Sequence, residues 1–184
     1  VQNMFSAFDP DLKISLVEGK TFDANTATIE KIKTDKSVVA WADEIRETAL
    51  LSYNDRQTPV QVLGVSEGFG RVTRIDSIMY DGNFLLTDGN FEHAVVGIGI
   101  ASKLGINAQM IEPMRIFAPK RTEKINVVRP DQSFNEVAAF ASGIFVVNQP
   151  EYDDQNVIVS IAQARKLFEY SGNEVSKLQL KVLS

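Results

Sequence analysis

Gly97-Ile98-Gly99 lies between two apolar runs. A strand-to-helix turn of that kind can cradle a dinucleotide pyrophosphate. The chemistry also needs a third small residue and an acid about 20 residues later. Position 102 is Ser102, and Glu112 comes too early, directly before Pro113. The two glycines are therefore expected only to permit a tight turn. His93, the single histidine, follows Glu92. A general base needs a nucleophile and an orienting group nearby, and no local signature supplies either. Asp153-Asp154 offers two carboxylates for a hard cation, but the D-x-[DN]-x-[DN]-G spacing is missing. A polar turn is expected there. Glu44, Arg46 and Glu47 read as the solvated side of a strand, with Trp41 in the core and Arg56-Gln57 at a surface turn. No catalytic residue, metal site or cofactor site is expected.

The composition narrows the classes further. The chain has 184 residues, no cysteine and a net charge of −5, with 44% hydrophobic and 23% charged residues. Disulfide scaffolds and cysteine-based zinc sites are excluded. The acidic balance argues against a general nucleic-acid binder. Its length suits one ordinary domain or two small lobes. The longest apolar runs fall far short of the ~20 residues of a spanning helix. The first residue is Val1 and no signal segment follows. The chain is expected to be a piece of something larger.

Periodicity supplies the elements that must position any site. Leu12, Ile14 and Leu16 alternate with Lys13 and Ser15, which reads as a half-buried strand ended by Gly19. Asn25 or Thr26 can cap a short helix carrying Ile29 and Ile32. A long extended stretch from Ser37 to Tyr53 turns at Asn54-Asp55 and returns through Val60, Val62 and Val65. Strand, helix, strand, strand is an α+β unit. Residues 66–90 read as short turns, one helical turn and brief strands. A second unit has a strand from His93 to Gly97 and a helix from Ile98 to Leu104 stopped by Gly105. Strands follow at 114–118, 144–147 and 157–159. Ser160, with Gln163 three residues on, opens another helix through a capping box, closed by Ser171-Gly172-Asn173. Leu178, Leu180 and Val182 form a last, one-faced strand.

One connection is out of proportion. Ala118 and Gly143 are separated by about two dozen residues, where most connections are ~4–6. Within 115–131, Arg115, Lys120, Arg121, Lys124 and Arg129 oppose only Glu123 and Asp131, giving +3 inside a chain of −5. Ile125, Val127, Val128, Phe134, Val137 and Phe140 add apolar weight. A solvated surface loop normally avoids large apolar side chains. A docking loop wants them, with cations at the rim. Both readings stand, and partner binding is favoured.

Several segments together resemble a known domain. They are Glu18-Gly19-Lys20, Gln61 to Val65, Asp81 to Phe84, Val95 to Ala101 with Leu104-Gly105, and Asn156 to Ser160 with Ala164 to Leu167. In order and spacing they resemble the MacB-like periplasmic core domain of FtsX-type ABC transporter permeases, closest to the lipoprotein-releasing LolC/LolE branch. The resemblance implies an α+β, two-lobed domain. A porter-like βαββ lobe would comprise 1–90 and 173–184, truncated at its C-terminus. A Sabre-like α/β lobe would comprise 91–172 and carry a protruding loop at 119–142.

It also implies a function. The fragment would be periplasmic, within a multi-pass protein of the inner membrane, and would do no covalent chemistry. ATP hydrolysis would belong to a separate cytoplasmic subunit, and a second permease subunit would pair with it. The loop would correspond to the Hook that engages a periplasmic lipoprotein chaperone or cargo. Lys120, Arg121 and Arg129 would be the basic contacts by position, and Ile125, Val127, Val128 and Phe134 the apolar ones. An alternative is a MacB-type exporter domain contacting an adaptor protein. A remote alternative is a small α/β nucleotide-binding enzyme using Gly97 and Gly99.

Overall fold

A computed structural model describes residues 9–109, 111–121 and 128–183. In chain order the strands are β1 (Leu12–Ser15), β2 (Phe22–Asp23), β3 (Val38–Tyr53), β4 (Arg56–Val65), β5 (Met79–Gly82), β6 (Thr87–Asp88), β7 (Phe91–Gly97), β8 (Met114–Pro119), β9 (Phe134–Phe145), β10 (Asn156–Ser160), β11 (Glu174–Val175) and β12 (Lys177–Val182). The helices are α1 (Ala27–Lys33), α2 (Phe69–Val72), α3 (Ile98–Leu104), α4 (Pro150–Asp153) and α5 (Ile161–Phe168).

Local chemistry sets many of these boundaries. Thr26 Oγ1 accepts from the Ile29 amide at 3.4 Å and caps α1. Asn54 takes a left-handed conformation between β3 and β4, and Gly105 does the same after α3. Ser160 Oγ accepts from the Gln163 amide at 3.2 Å. The capping box is only half made, because the Gln163 side-chain amide donates to Ala138 O on β9 instead. Helix α5 ends at Phe168, earlier than expected, where Glu169 turns left-handed.

The sheet runs β1-β12-β3-β4-β10-β7-β9-β5. Strand β8 also pairs with both β9 and the far end of β3. The pairings β3-β4-β10-β7-β9-β8-β3 therefore close a circuit of six strands. One face of that circuit carries Ile45, Leu51, Val62, Val96, Met114, Ile116, Val157 and Val159, packed against Leu104 of α3 and Leu167 of α5. Each such buried side chain contributes roughly 1.5–3 kcal/mol relative to exposure. The opposite face carries Leu63, Val65, Val95, Phe145 and Ile158 under Phe69 and Val72 of α2. Strand β10 is buried on both faces, so its run of apolar residues shows no alternation. Gly64 lets α5 ride on the β4 backbone; a Cβ there would fall 2.1 Å from Ala164 Cβ. A separate small cluster joins Ile29 of α1 to Leu178 and Leu180 of β12.

Two expectations change. Strand β9 begins at Phe134, not near Gly143, so the connection after β8 is residues 120–133 rather than 119–142. Its Ala-rich sequence carries little strand propensity, but β8 pairs with its first half, Phe134 to Ala139, and β7 with its second, Phe140 to Phe145. Strand β12 is not one-faced: Gln179 is buried, because α2 covers the side opposite α1. The sheet includes strands from both sides of residues 90 and 91. Strand β10 pairs in parallel with β4 from Asn156↔Gln61 to Ser160↔Val65.

Candidate functional site

Strands β8 and β9 form a hairpin in register from Met114↔Ala139 to Pro119↔Phe134. Met114, Ile116, Ala118, Val137 and Ala139 are buried and anchor it to the core. The ladder continues one step further, where the Lys120 amide donates to Ser133 O at 2.9 Å. Beyond that step lies the loop, which returns through a 3-10 turn at Pro130–Ser133. Val128 is 88% exposed and Phe134 39% exposed. Two large apolar groups thus face water at the distal end of a hairpin whose base is buried. Arg129 is exposed and Lys120 half-buried. Ile125 and Val127 lie outside the described residues.

Arg121 is engaged within the chain. Its guanidinium donates to Glu174 through Nη1 at 2.9 Å and Nη2 at 2.8 Å, a bidentate pair. Its backbone amide donates to Glu169 Oε2 at 2.6 Å, and the guanidinium lies 4.8 Å from the Tyr170 ring centre. Glu174 also accepts from Thr21 Oγ1 at 2.7 Å and from the Ser171 amide. Tyr170 donates its hydroxyl to Glu47 Oε1 at 2.6 Å. This network ties the foot of the loop to the end of α5 and to β11.

The Arg121 guanidinium, helped by the Thr21 and Ser171 donors, holds the Glu174 carboxyl down at about 2 against the pull of burial. The same pair pushes Arg121 up. Burial first, then the Glu47 carboxylate, pushes Tyr170 far above the usual phenol range. Glu169, Tyr170 and Glu174 were not legible as partners, since nothing in the sequence links them to a residue some fifty positions earlier.

The other candidate chemistries resolve into packing. A Cβ at Gly97 would fall 2.2 Å from Asp153 O, and one at Gly99 would fall 1.9 Å from Asp154 Oδ1. The space a phosphate would need is filled by the turn through α4. Asp153 is itself buried, its carboxylate accepting from the Val147 and Gln149 amides at 2.9 and 3.1 Å. It fixes that turn. His93 packs 6.1 Å from the Phe140 ring. Its neighbour Glu92 accepts from Ser160 Oγ at 2.9 Å. Among the described residues no group of three metal-type side chains comes together.

The stretch after Trp41 departs from expectation. Glu44 is fully buried, not solvated. It accepts from Arg46 Nε at 2.7 Å and from Gln179 Nε2. Buried charge survives only when paired in this way. Trp41, expected in the core, is 36% exposed beneath the Lys33 ammonium, 4.0 Å away. Arg56 is at the turn as expected and donates to Lys103 O.

No family model matches the chain, and no curated protein matches it. Solved structures do. The extracellular domain of the noncanonic ABC-type transporter YknZ from Gram-positive bacteria superposes with a TM-score of 0.60 at 14% identity, covering 91% of this chain and 76% of that one. The periplasmic region of MacB from Actinobacillus actinomycetemcomitans gives 0.53 at 10% identity, covering 88% and 72%. A domain described as that of a permease protein from Porphyromonas gingivalis gives 0.52 at 12% identity, covering 91% and 71%. The chain has the mixed α/β fold shared by these extracytoplasmic and permease domains.

Proposed function

We propose that this chain is the extracytoplasmic domain of an FtsX-type ABC transporter permease, and that residues 120–133 with Phe134 form its partner-docking element. The observation that carries the first part is likeness over about nine-tenths of the chain to such domains. The second part rests on the hairpin: a buried base, an Arg121 clamped where the ladder ends, Phe134 exposed on the last rung and Val128 exposed past it. A hairpin paired in register up to Lys120 and Ser133 lowers the ordering cost of binding. The domain would do no covalent chemistry. A cytoplasmic ATPase subunit would supply the energy, and a second permease subunit would complete the transporter. The small cluster around α1, β1 and β12 would be the porter-like part, on the periplasmic side of the inner membrane.

Within that class the resemblance to the LolC/LolE branch favours lipoprotein release, with a periplasmic chaperone or the lipoprotein itself at the tip. Val128, Phe134 and, from the sequence, Ile125 and Val127 would supply affinity. Lys120 and Arg129 would steer the approach. Arg121 would hold the stalk rather than the partner. The likeness to MacB favours a second reading, an exporter domain whose tip meets an adaptor protein. A photo-crosslinker placed at Val128 in the full-length permease separates the two. Adducts with a lipoprotein chaperone are expected. Adducts with an adaptor alone would favour the second reading, and their complete absence would remove the docking role.

A further inference from the structure

We propose that a notch at the end of β1 binds a phosphate-type oxyanion, with Lys177 and Arg46 as its principal ligands. The register of three strands builds it. Lys177 on β12 stands opposite Ser15 on β1 and opposite Glu44 on β3. Arg46, two residues beyond Glu44, shares its face. The segment following β1 brings Lys20 to the same place. The resulting cavity has a volume of about 330 Å³ and is lined by Ser15, Lys20, Arg46, Glu47, Ser176 and Lys177. Three cations and two hydroxyls therefore meet a single carboxylate, in a chain whose net charge is −5.

The carboxylates nearby are already engaged. Glu47 accepts the Tyr170 hydroxyl at 2.6 Å, and Lys20 reaches it only at 3.9 Å. Glu44 lies buried under the notch, its two oxygens taken by Arg46 Nε and Gln179 Nε2. Arg46 spends only its Nε on that pair, so its terminal nitrogens remain as a fork for an oxyanion. Asp9 holds Lys13 at 2.6 Å. Among the described residues no carboxylate stands within ion-pair distance of Lys177. Burial first, then the Arg46 charge, pushes the Lys177 ammonium below the usual lysine range; Glu44 opposes this and Lys13 adds to it. Two cations, Lys177 and the Arg46 guanidinium, thus share the single buried carboxylate of Glu44, and a bound anion would supply the second negative charge. Two sources share the chemistry: a free phosphate group, or the phosphodiester of a lipid headgroup.

The test titrates inorganic phosphate into the 184-residue protein at constant ionic strength, following backbone amide shifts. Saturable shifts at Ser15, Ser176 and Lys177 are expected. Lys177→Gln should weaken binding about tenfold or more, whereas Lys36→Gln on the remote α1–β3 turn should not. Because burial and then the neighbouring Arg46 charge disfavour the Lys177 ammonium where it stands, Lys177→Gln should leave the melting temperature unchanged or higher. Sedimentation with phosphatidylglycerol against phosphatidylcholine vesicles distinguishes the sources. Phosphatidylglycerol binding that Lys177→Gln abolishes assigns the headgroup, and phosphate binding without it assigns the free anion. Shifts that grow linearly and equally in both proteins would overturn the site. So would a lower melting temperature in Lys177→Gln with an unchanged phosphate response, which would make Lys177 a cover for Glu44.

Discussion

Gly97 and Gly99 show how one residue type serves two readings. Their spacing fits a phosphate cradle, and their surroundings show a packing contact with Asp153 and Asp154. Gly97→Ala would drive a Cβ into a carbonyl oxygen that cannot retreat, since Asp153 is fixed by two backbone donors. A loss of roughly 1–3 kcal/mol is expected, the usual range for overpacking, measured by urea denaturation. A neutral substitution would mean that the α4 turn gives way and that the glycines serve something else. At this scale the sequence was informative wherever the determinant is local. Thr26, Ser160 and Gly105 are caps that can be read from their neighbours. Glu44 misled because its partner Gln179 comes from the far end of the chain. Its burial depends on α2 closing over the sheet, which no local pattern shows.

The hairpin and its clamp belong to the scale of elements. The Arg121–Glu174 pair joins the foot of the β8–β9 loop to β11, and its strength depends on the Glu174 charge. Glu174 is held at about 2, below the ordinary 4.5. A depressed carboxyl contributes its full stabilisation above the ordinary value and loses it as pH falls through the folded one. Wild type should therefore lose its advantage over Glu174→Gln as pH drops from about 4.5 towards 2. Amide exchange at Arg121 and Ser171 should quicken over the same window. A stability difference that persists unchanged at pH 2 would show that the carboxylate does not hold the loop. Legibility at this scale followed periodicity. Helix α1 and the β3–β4 hairpin were readable from a cap at Thr26 and a turn at Asn54-Asp55, whereas the two-residue β2 before α1 left no periodic signal. Strand β9 was not readable either, because Ala138 and Ala139 owe their conformation to β8 and Ala141 to β7, partners that no local pattern shows.

At the scale of the whole molecule, ten strands of the described residues form one hydrogen-bonded sheet, six of them in a closed circuit with helices on both faces. Strand β10 enters between β4 and β7, parallel to the first and antiparallel to the second. That insertion welds the two halves of the chain, and neither strand's sequence announces its neighbour. The closed circuit gives the β8–β9 hairpin a firm base, which suits an element that transmits movement or captures a partner. The exposed end of the hairpin is expected to act outside the energy-coupling machinery. The most direct measurement pairs cargo release with ATP hydrolysis in the reconstituted full-length transporter carrying Val128→Asp and Phe134→Asp. Release should fall at least tenfold while hydrolysis stays within about twofold of wild type. Unchanged release, or equal loss of both activities, would contradict it.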